Sequence, residues 1–388
     1  MEQLRMGIIG IGNMGSAHAV SIDAGRVPGM VLGAVCDIRE SRRAWAAGQL
    51  PGVAVYSNAH ELIHSGKCDA VLIATPHYGH PPLAQAAFEA GLHVLSEKPA
   101  GVAVSQVQKM NQAAKQSGKV FGIMFNQRTH PLFQKARELV QTGGLGLPKR
   151  LQWTVTNWYR TQEYYDSGAW RATWAGEGGG VLLNQAPHNL DLWQWIFGMP
   201  RRLRADCPVG KYHRIEVEDE AAIYAEYDNG ATAVFLTSTG EYPGTNRLEI
   251  AGDRGKLVLE DGRLKLWTLP LPEREFCFSA GTPLPSPEYT ELLPDRPETA
   301  HNGILSNFAD AVLHGAPLLA PGEEGIHELT LSNAAYLSSW TGDWVSLPMD
   351  TARFDQLLGE RAERSSLHRG EEGNSADGLY KTRWKVNW

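Results

Sequence analysis

The stretch RMGIIGIGNMGSAHAVSI, from Arg5 to Ile22, joins a β-rich run to a helical one through Gly10, Gly12 and Gly15. At this GxGxxG spacing each glycine has its own reason. The first permits a tight turn, the second lets a ligand approach the backbone, and the third lets the helix pack closely on the strand. The helix N-terminus that follows carries partial positive charge and suits a phosphate. A strand–turn–helix unit of this kind belongs in a parallel sheet.

The first third of the chain repeats that grammar. Strands are predicted at Arg5–Ile9, Val31–Cys36, Val53–Tyr56, Ala70–Ala74, His93–Ser96 and Val120–Phe125. Helical patterns fall at Met14–Ile22, Glu40–Gln49, Pro82–Ala90 and Val104–Ser117. Nearly continuous apolar strands alternating with helices indicate a parallel sheet covered on both faces.

The second predicted strand ends in VCDIRE, with Asp37 about 20 residues beyond the glycines, where a ribose-binding acid is expected. A carboxylate there accepts ribose hydroxyls and repels a 2′-phosphate, so the cofactor reading is NAD. Arg39, Arg42 and Arg43 follow and would suit a phosphate, which keeps NADP as the second choice. The structural alternative is a capping Asp beside a solvated basic helix face. Candidate cofactor contacts are Gly10, Gly12, Asn13, Met14 and Gly15 of the turn, Asp37, Ile38 and Arg39 after the second strand, and Ala74, Thr75, Pro76, His77 and His80 of ATPHYGH. Glu97, Lys98 and Asn126 complete the set.

Beyond residue 125 the pattern changes. HPLFQKARELVQTGGLG reads as a helix closed by glycines, followed by a strand at Leu151–Trp158. Further strands are predicted at Leu203–Cys207, Glu220–Tyr227, Thr232–Thr239, Leu248–Ala251, Lys256–Glu260 and Arg263–Thr268. Strands without intervening helices suggest an antiparallel sheet, and Asn229-Gly230 marks a hairpin. LPLPEREFCFSAGTPLPSPEY reads as a surface loop. Two later helices, Asn302–Leu313 and Gly325–Thr341, are expected to brace the first domain. The predicted division is residues 1–125, 126–348 and a polar tail, 349–388. The fold class is α/β: a Rossmann dinucleotide-binding domain followed by an α+β domain with a mostly antiparallel sheet.

VLSEKPAG places Lys98 at the carboxyl end of a parallel strand, where open α/β sheets bind ligands. Pro99 restricts the residue before it and permits a cis bond. By itself EKP is commonly a surface turn. Taken with GxGxxG, ATPHYGH and GGGVLLNQAPHNLDL in this order, it resembles the glucose–fructose oxidoreductase/inositol dehydrogenase/MocA family from about Arg5 to about Pro348. The resemblance implies oxidation or reduction of a sugar or cyclitol hydroxyl with NAD(P), and an open C-terminal sheet that serves a homodimer or homotetramer. It also implies an EKP lysine and an Asp-x-x-x-His pair that manage the proton. Here these fall on Lys98, Asn184 and His188, with Asn184 departing from the pattern. An amide orients a hydroxyl but takes no proton and carries no charge.

Hydride loss from a carbinol carbon needs a base on the hydroxyl, and histidine suits that task near neutral pH. His188 is therefore the candidate base, with Lys98 stabilising the alkoxide. Pro187 favours a helix that kinks or starts beside it. Asp191, one turn further on, reads equally as a cap or partner within the helix and as a substrate contact. Substrate-facing candidates are Tyr159, Arg160, Tyr165, Arg171 and Trp174, which offer ring faces and planar polar groups, with Arg128, Lys98, Asn184 and His188. No grouping has metal-ligand spacing, and this chemistry needs no metal.

A net charge of -7, with the 36 Lys and Arg forming no long block, disfavours nucleic acid and anionic membranes as partners. The charged N-terminus does not read as a signal peptide, and no apolar stretch is long enough for a membrane span. Cys36, Cys68, Cys207 and Cys277 are scattered thiols without a CxxC pair, so a cytoplasmic location is expected. The leading reading is an NAD-dependent dehydrogenase or ketoreductase for a sugar, glycoside, aminosugar or cyclitol. The alternatives are an enzyme that retains NAD and oxidises transiently to allow elimination or glycosidic cleavage, and a non-catalytic dinucleotide-binding regulator.

Overall fold

Six short apolar strands open the chain: β1 (Leu4–Ile9), β2 (Met30–Cys36), β3 (Ala54–Tyr56), β4 (Ala70–Ile73), β5 (His93–Ser96) and β6 (Phe121–Ile123). In the computed structural model, which describes residues 2–279, 281 and 283–366, they form one parallel sheet in the order β3-β2-β1-β4-β5-β6. All four residues of β4 are buried, the burial that a strand covered on both faces requires. The strand order reverses between β1 and β4, so the turn after β1 lies at a topological switch point. Residues up to Thr129 and the later segment Thr299–Leu329 make up this compact unit. The late segment covers the free edge of β6. Ile123 N donates to Ala320 O at 3.1 Å, and Gly122 bridges Pro321.

A second unit comprises His130–Glu298 and the described residues from Thr330 onward. Its strands are β7 (Pro148–Val155), β8 (Arg202–Asp206), β9 (Glu220–Glu226), β10 (Thr232–Ser238), β11 (Asn246–Gly252), β12 (Gly255–Glu260), β13 (Arg263–Thr268), β14 (Glu288–Leu292) and β15 (Val345–Ser346). They form one sheet ordered β14-β13-β12-β11-β7-β10-β9-β8-β15. Every neighbouring pair is antiparallel except β7 and β10, which run parallel. The Asn229-Gly230 hairpin joins β9 to β10, with Gly230 at φ 82°, where only glycine is unstrained.

Two helices, Pro131–Gln141 and Pro187–Phe197, belong to this unit. Trp193 of the second stacks on Phe235 of β10 at 5.8 Å, and Trp153 of β7 meets Phe235 edge-on at 6.2 Å. Strand alternation leaves Tyr224 and Val234 exposed on the opposite sheet face.

The proline-rich stretch departs from the surface-loop expectation. It holds a short helix, Glu273–Cys277, and its last residues begin β14, an exposed edge strand whose charges obscure the pattern. The helix predicted as the second brace, Gly325–Thr341, belongs to the first unit only up to Leu329. The expected tail starts with a helix, Thr351–Glu363, capped by Asp350 accepting from Arg353 N at 3.0 Å. Its remainder, 367–388, lies outside the described residues.

Candidate active site

Beyond β1, Gly10 adopts φ +88°, and a Cβ there would stand 2.7 Å from Ala74 O. A Cβ on Gly15 would fall 1.9 Å from Gly10 O, the close helix–strand approach expected of the third glycine. Gly12 differs, because a Cβ there would meet only Arg39 Nη2 at 3.7 Å. Protein packing does not demand glycine at this position, but a phosphate approaching the backbone does. Asn13 and Met14 begin the helix Asn13–Asp23, and its first turn has no side-chain cap.

Asp37 is buried beside this turn. Its Oδ2 accepts from Ile11 N at 3.0 Å and its Oδ1 from Arg39 N at 2.9 Å, which fixes the carboxylate in place. Arg42 Nε donates to Ile11 O at 2.7 Å, and Arg43 Nη1 donates to Ile38 O at 2.7 Å. Both arginines therefore brace main-chain carbonyls. The Arg39 guanidinium stays about half exposed, 3.4 Å from Asp37. Ile38 is 85% exposed, an apolar side chain available to a flat ligand. The open space at Gly12, the fixed carboxylate and the bare Ile38 fit the adenosine and pyrophosphate of NAD.

At the end of β5 the Lys98–Pro99 bond is cis and Lys98 is half-buried. His80 ties this loop to the one after β4. Its Nδ1 lies 2.7 Å from Pro99 O and its Nε2 2.8 Å from Thr75 O. His77 is buried in the short 3-10 turn His77–Gly79, its ring 6.1 Å from that of His80, and burial pushes the Tyr78 phenol up to about 12. Glu97 Oε1 meets His18 Nε2 at 2.7 Å, and the His18 ring lies 5.5 Å from that of His301. Sequence reasoning missed both histidines.

Asn126 and Gln127 are buried, and Asn126 Oδ1 and both amide atoms of Gln127 have no partner among the described residues. Buried polar atoms of this kind call for a ligand or water. Arg128 departs from its expected substrate contact. It is fully buried, donates to Glu324 Oε2 at 2.6 Å and to Leu319 O at 3.2 Å, and holds the late segment in place.

In the second unit two of the three glycines, Gly179 and Gly180, are forced by close approach, and Gly178 takes φ 83°. A Cβ on Gly179 would lie 2.3 Å from Tyr336 Oη, and one on Gly180 only 1.9 Å from Glu218 O. Glu218 accepts from Gly180 N and Leu182 N, each at 2.9 Å, and from Tyr336 Oη at 2.7 Å. Burial raises its carboxyl to about 7, against the lowering effect of those bonds. Two helical pieces follow, Val181–Asn184 and Pro187–Phe197, with Pro187 at the first turn of the second, as the sequence implied. Asn184 ends the first piece and is half-buried, whereas His188 is buried at the start of the second.

Asn184 Nδ2 donates to Glu177 Oε1, and Tyr164 Oη donates to Asn184 Oδ1 at 3.5 Å. Arg171 Nη1 donates to Tyr164 Oη at 2.8 Å, with its guanidinium between the Tyr164 and Trp170 rings. These contacts bring together Arg171 and Asn184, two of the expected substrate contacts. The others are placed differently. Arg160 is buried, donating to Tyr159 O at 2.9 Å. Tyr165 is paired with Thr239 Oγ1 at 2.7 Å. Trp174 packs against Tyr336 and Trp340, each at 5.5 Å, so it is a core residue. Tyr159 is 41% exposed, its ring 5.5 Å from Tyr242. Glu177, Tyr164 and Glu218 were not singled out in the sequence, although Glu177 directly precedes the glycines.

A parallel sheet in this order, with its glycine turn at the switch point and an acid after β2, defines a Rossmann dinucleotide-binding protein. Residues 4–125 match the oxidoreductase family with an NAD-binding Rossmann fold, and residues 133–258 match the GFO/IDH/MocA C-terminal domain. The chain belongs to the GFO/IDH/MocA family of oxidoreductases. It is 26% identical over 340 residues to a myo-inositol 2-dehydrogenase of Thermotoga maritima, covering 86% of this chain and 95% of that one. It is 25% identical over 363 residues to a scyllo-inositol 2-dehydrogenase (NAD(+)) of Bacillus subtilis, covering 90% and 98%. Among solved structures it resembles the WlbA dehydrogenase of Chromobacterium violaceum in complex with NADH and UDP-GlcNAcA. That match has a TM-score of 0.78 and 25% identity, covering 90% of this chain and 97% of that one.

Proposed function

We propose that the protein oxidises a secondary hydroxyl of a cyclitol or sugar with NAD, or reduces the corresponding ketone. The observation that carries this reading is Lys98, held half-buried at the carboxyl end of β5 in the unit that bears the glycine turn and Asp37. The cyclitol class follows from the names of the two inositol dehydrogenases, and the UDP-sugar relative extends the range to larger sugars.

Gly10, Gly12, Gly15, Asp37 and Ile38 would hold the adenosine and pyrophosphate, with Asn126 offering its buried Oδ1 at the other end. When bound, NAD supplies the hydride acceptor. His188 takes the hydroxyl proton, a task that suits imidazole without a large change in basicity. Lys98 stabilises the oxygen as its charge builds, and Asn184 orients a hydroxyl through its amide. In the ketone direction the same residues return the proton.

Among the described residues no helix is long and apolar enough to cross a membrane, and Cys36, Cys68, Cys207 and Cys277 are free thiols. Both features suit work in the reducing cytoplasm. The open face of the nine-stranded sheet, with Tyr224 and Val234 exposed, suits assembly into a homodimer or homotetramer.

A panel of cyclitols, sugars and UDP-sugars incubated with NAD tests the reading through the absorbance of reduced nicotinamide. Steady accumulation with at least one polyol, abolished in His188→Ala and Lys98→Met, supports it. Substrate consumption without accumulation would instead point to transient oxidation with retained cofactor. Activity unaffected by both substitutions would remove these residues from the mechanism.

A further inference from the structure

Asn184 carries no charge, yet it is bonded to a deeply buried carboxylate. Its amide nitrogen donates to Glu177 Oε1, while Glu177 Oε2 accepts from Ala172 N at 2.6 Å. Glu177 is 2% exposed. Chemistry fixes the direction of each bond around this pair. The Arg171 guanidinium can only donate, and does so to Tyr164 Oη at 2.8 Å. Gln185 Nε2 donates to the same oxygen at 3.2 Å. With both donors incoming, the Tyr164 proton turns to Asn184 Oδ1, at 3.5 Å. Asn184 then presents its NH2 to the carboxylate. A one-way series of donors thus runs from a guanidinium to a carboxylate, and each bond polarises the next.

We infer that Glu177 is a positioning residue for the proposed oxidation, supplying through the Asn184 amide the negative charge that steadies His188 as it takes the hydroxyl proton. This inference rests on the proposed reaction. Asn184 ends one helical piece and His188 is the second residue of the next, four positions on. An imidazolium forming at the buried His188 needs a compensating anion. The step balances: the hydroxyl proton moves to the imidazole, the carbinol hydride reduces NAD, and Glu177 keeps its bonds and its charge.

The neighbouring charged and titratable groups have contacts of their own. The Arg160 guanidinium stacks 5.0 Å from the Tyr164 ring centre. Tyr165 is held neutral by burial first and by nearby Tyr164 and Glu177 as well. His213 is 4.9 Å from the Tyr165 ring and bonded to Asp219. Asp219 also accepts from Lys211 N and Tyr212 N, and Glu218 accepts from Gly180 N, Leu182 N and Tyr336 Oη. Asp191 accepts from Gln194 at 2.9 Å.

The test moves the charge. Glu177→Gln and the double variant Glu177→Gln/Asn184→Asp are compared with the wild type by NMR titration of the His188 ring, its signal assigned by loss in His188→Asn. NAD reduction is followed alongside. Glu177→Gln is expected to lower the His188 pKa by about one unit, the shift typical of a lost neighbouring charge, and turnover at neutral pH by about tenfold. The double variant, which places the carboxylate at position 184, is expected to restore both. His188 titrating alike in the wild type and in Glu177→Gln, or in the wild type and a Glu177→Gln/Asn184→Leu variant with no carboxylate at either position, would overturn the inference. Absence of NAD reduction by the wild type with every polyol would instead count against the oxidoreductase reading, because the titration does not depend on turnover.

Discussion

Glu97 Oε1 and His18 Nε2 lie 2.7 Å apart with both side chains almost wholly buried, directly before the candidate catalytic lysine in the chain. Burial works against the Glu97 charge, but the His18 bond and the nearby His18, His301 and Lys98 hold its carboxyl down to about 2. Replacing His18 by Leu strands a buried carboxylate. The expected cost is about 1–3 kcal/mol in urea unfolding, the range for a buried acceptor that loses its partner. A loss below about 1 kcal/mol would show that the pair is not structurally important.

The same cluster sets an acid limit. Burial lowers the His301 imidazole to about 4, against the opposing pull of Glu97. A folded-state pKa below the unfolded one means stability is fully present above the unfolded value, near 6.5, and falls as pH drops toward 4. Glu97 has the same sign, its contribution present above about 4.5 and lost as pH falls toward 2. Glu218, raised to about 7, has the opposite sign and gains stability over nearly the same range, so the His301 contribution is read as the difference in slope between the wild type and His301→Asn under stepwise acid denaturation. His301→Asn should make stability fall less, or rise more, as pH drops from about 6.5 to 4 than it does in the wild type. An unchanged slope in that variant would contradict the assignment.

Two glycines of one turn should respond in opposite ways. Gly15→Ala drives a Cβ to 1.9 Å from Gly10 O, so it should lower stability by at least about 1–3 kcal/mol, the cost of overpacking. Gly12→Ala meets only Arg39 Nη2 at 3.7 Å and should leave Tm within a degree or two, yet weaken NAD binding tenfold or more. Thermal melts paired with NAD titration by protein fluorescence separate the two. Loss of Tm in Gly12→Ala would mean the glycine serves the fold.

Asp37 should set cofactor choice. Its carboxylate is fixed by Ile11 N and Arg39 N, and Arg39 stands ready beside it. Asp37→Ser is expected to lower kcat/KM for NAD by about tenfold, roughly 1.4 kcal/mol, while NADP is used as well or better. An unchanged NAD-to-NADP ratio would remove Asp37 from ribose recognition.

What could be read from the sequence was local. Gly10, Gly12, Gly15 and Asp37 announce themselves because strand, turn and acid follow at fixed spacing, and Lys98 because its tripeptide ends a strand. The Pro187 helix start was legible for the same reason. The support around these residues was not, because it joins distant segments. His301 reaches the His18–Glu97 pair from a late helix, and Tyr336 reaches Gly179 from another. Arg128 and Trp174 show the opposite failure. Arginine and tryptophan serve sugar binding and core packing alike, and only burial against Glu324 or Trp340 distinguishes the two. Glu177 sits beside the glycines in the sequence, but its bond to Asn184 depends on how the loop folds back.

The central claim is direct hydride transfer from a carbinol carbon to NAD. Supplying a cyclitol deuterated at every ring carbon and recovering the cofactor tests it at the reacting atom. Mass spectrometry and proton NMR should find one deuterium at C4 of the reduced nicotinamide, formed in step with ketone and absent in His188→Ala. Ketone formation without deuterium in the cofactor, or turnover that leaves all cofactor oxidised, would contradict it.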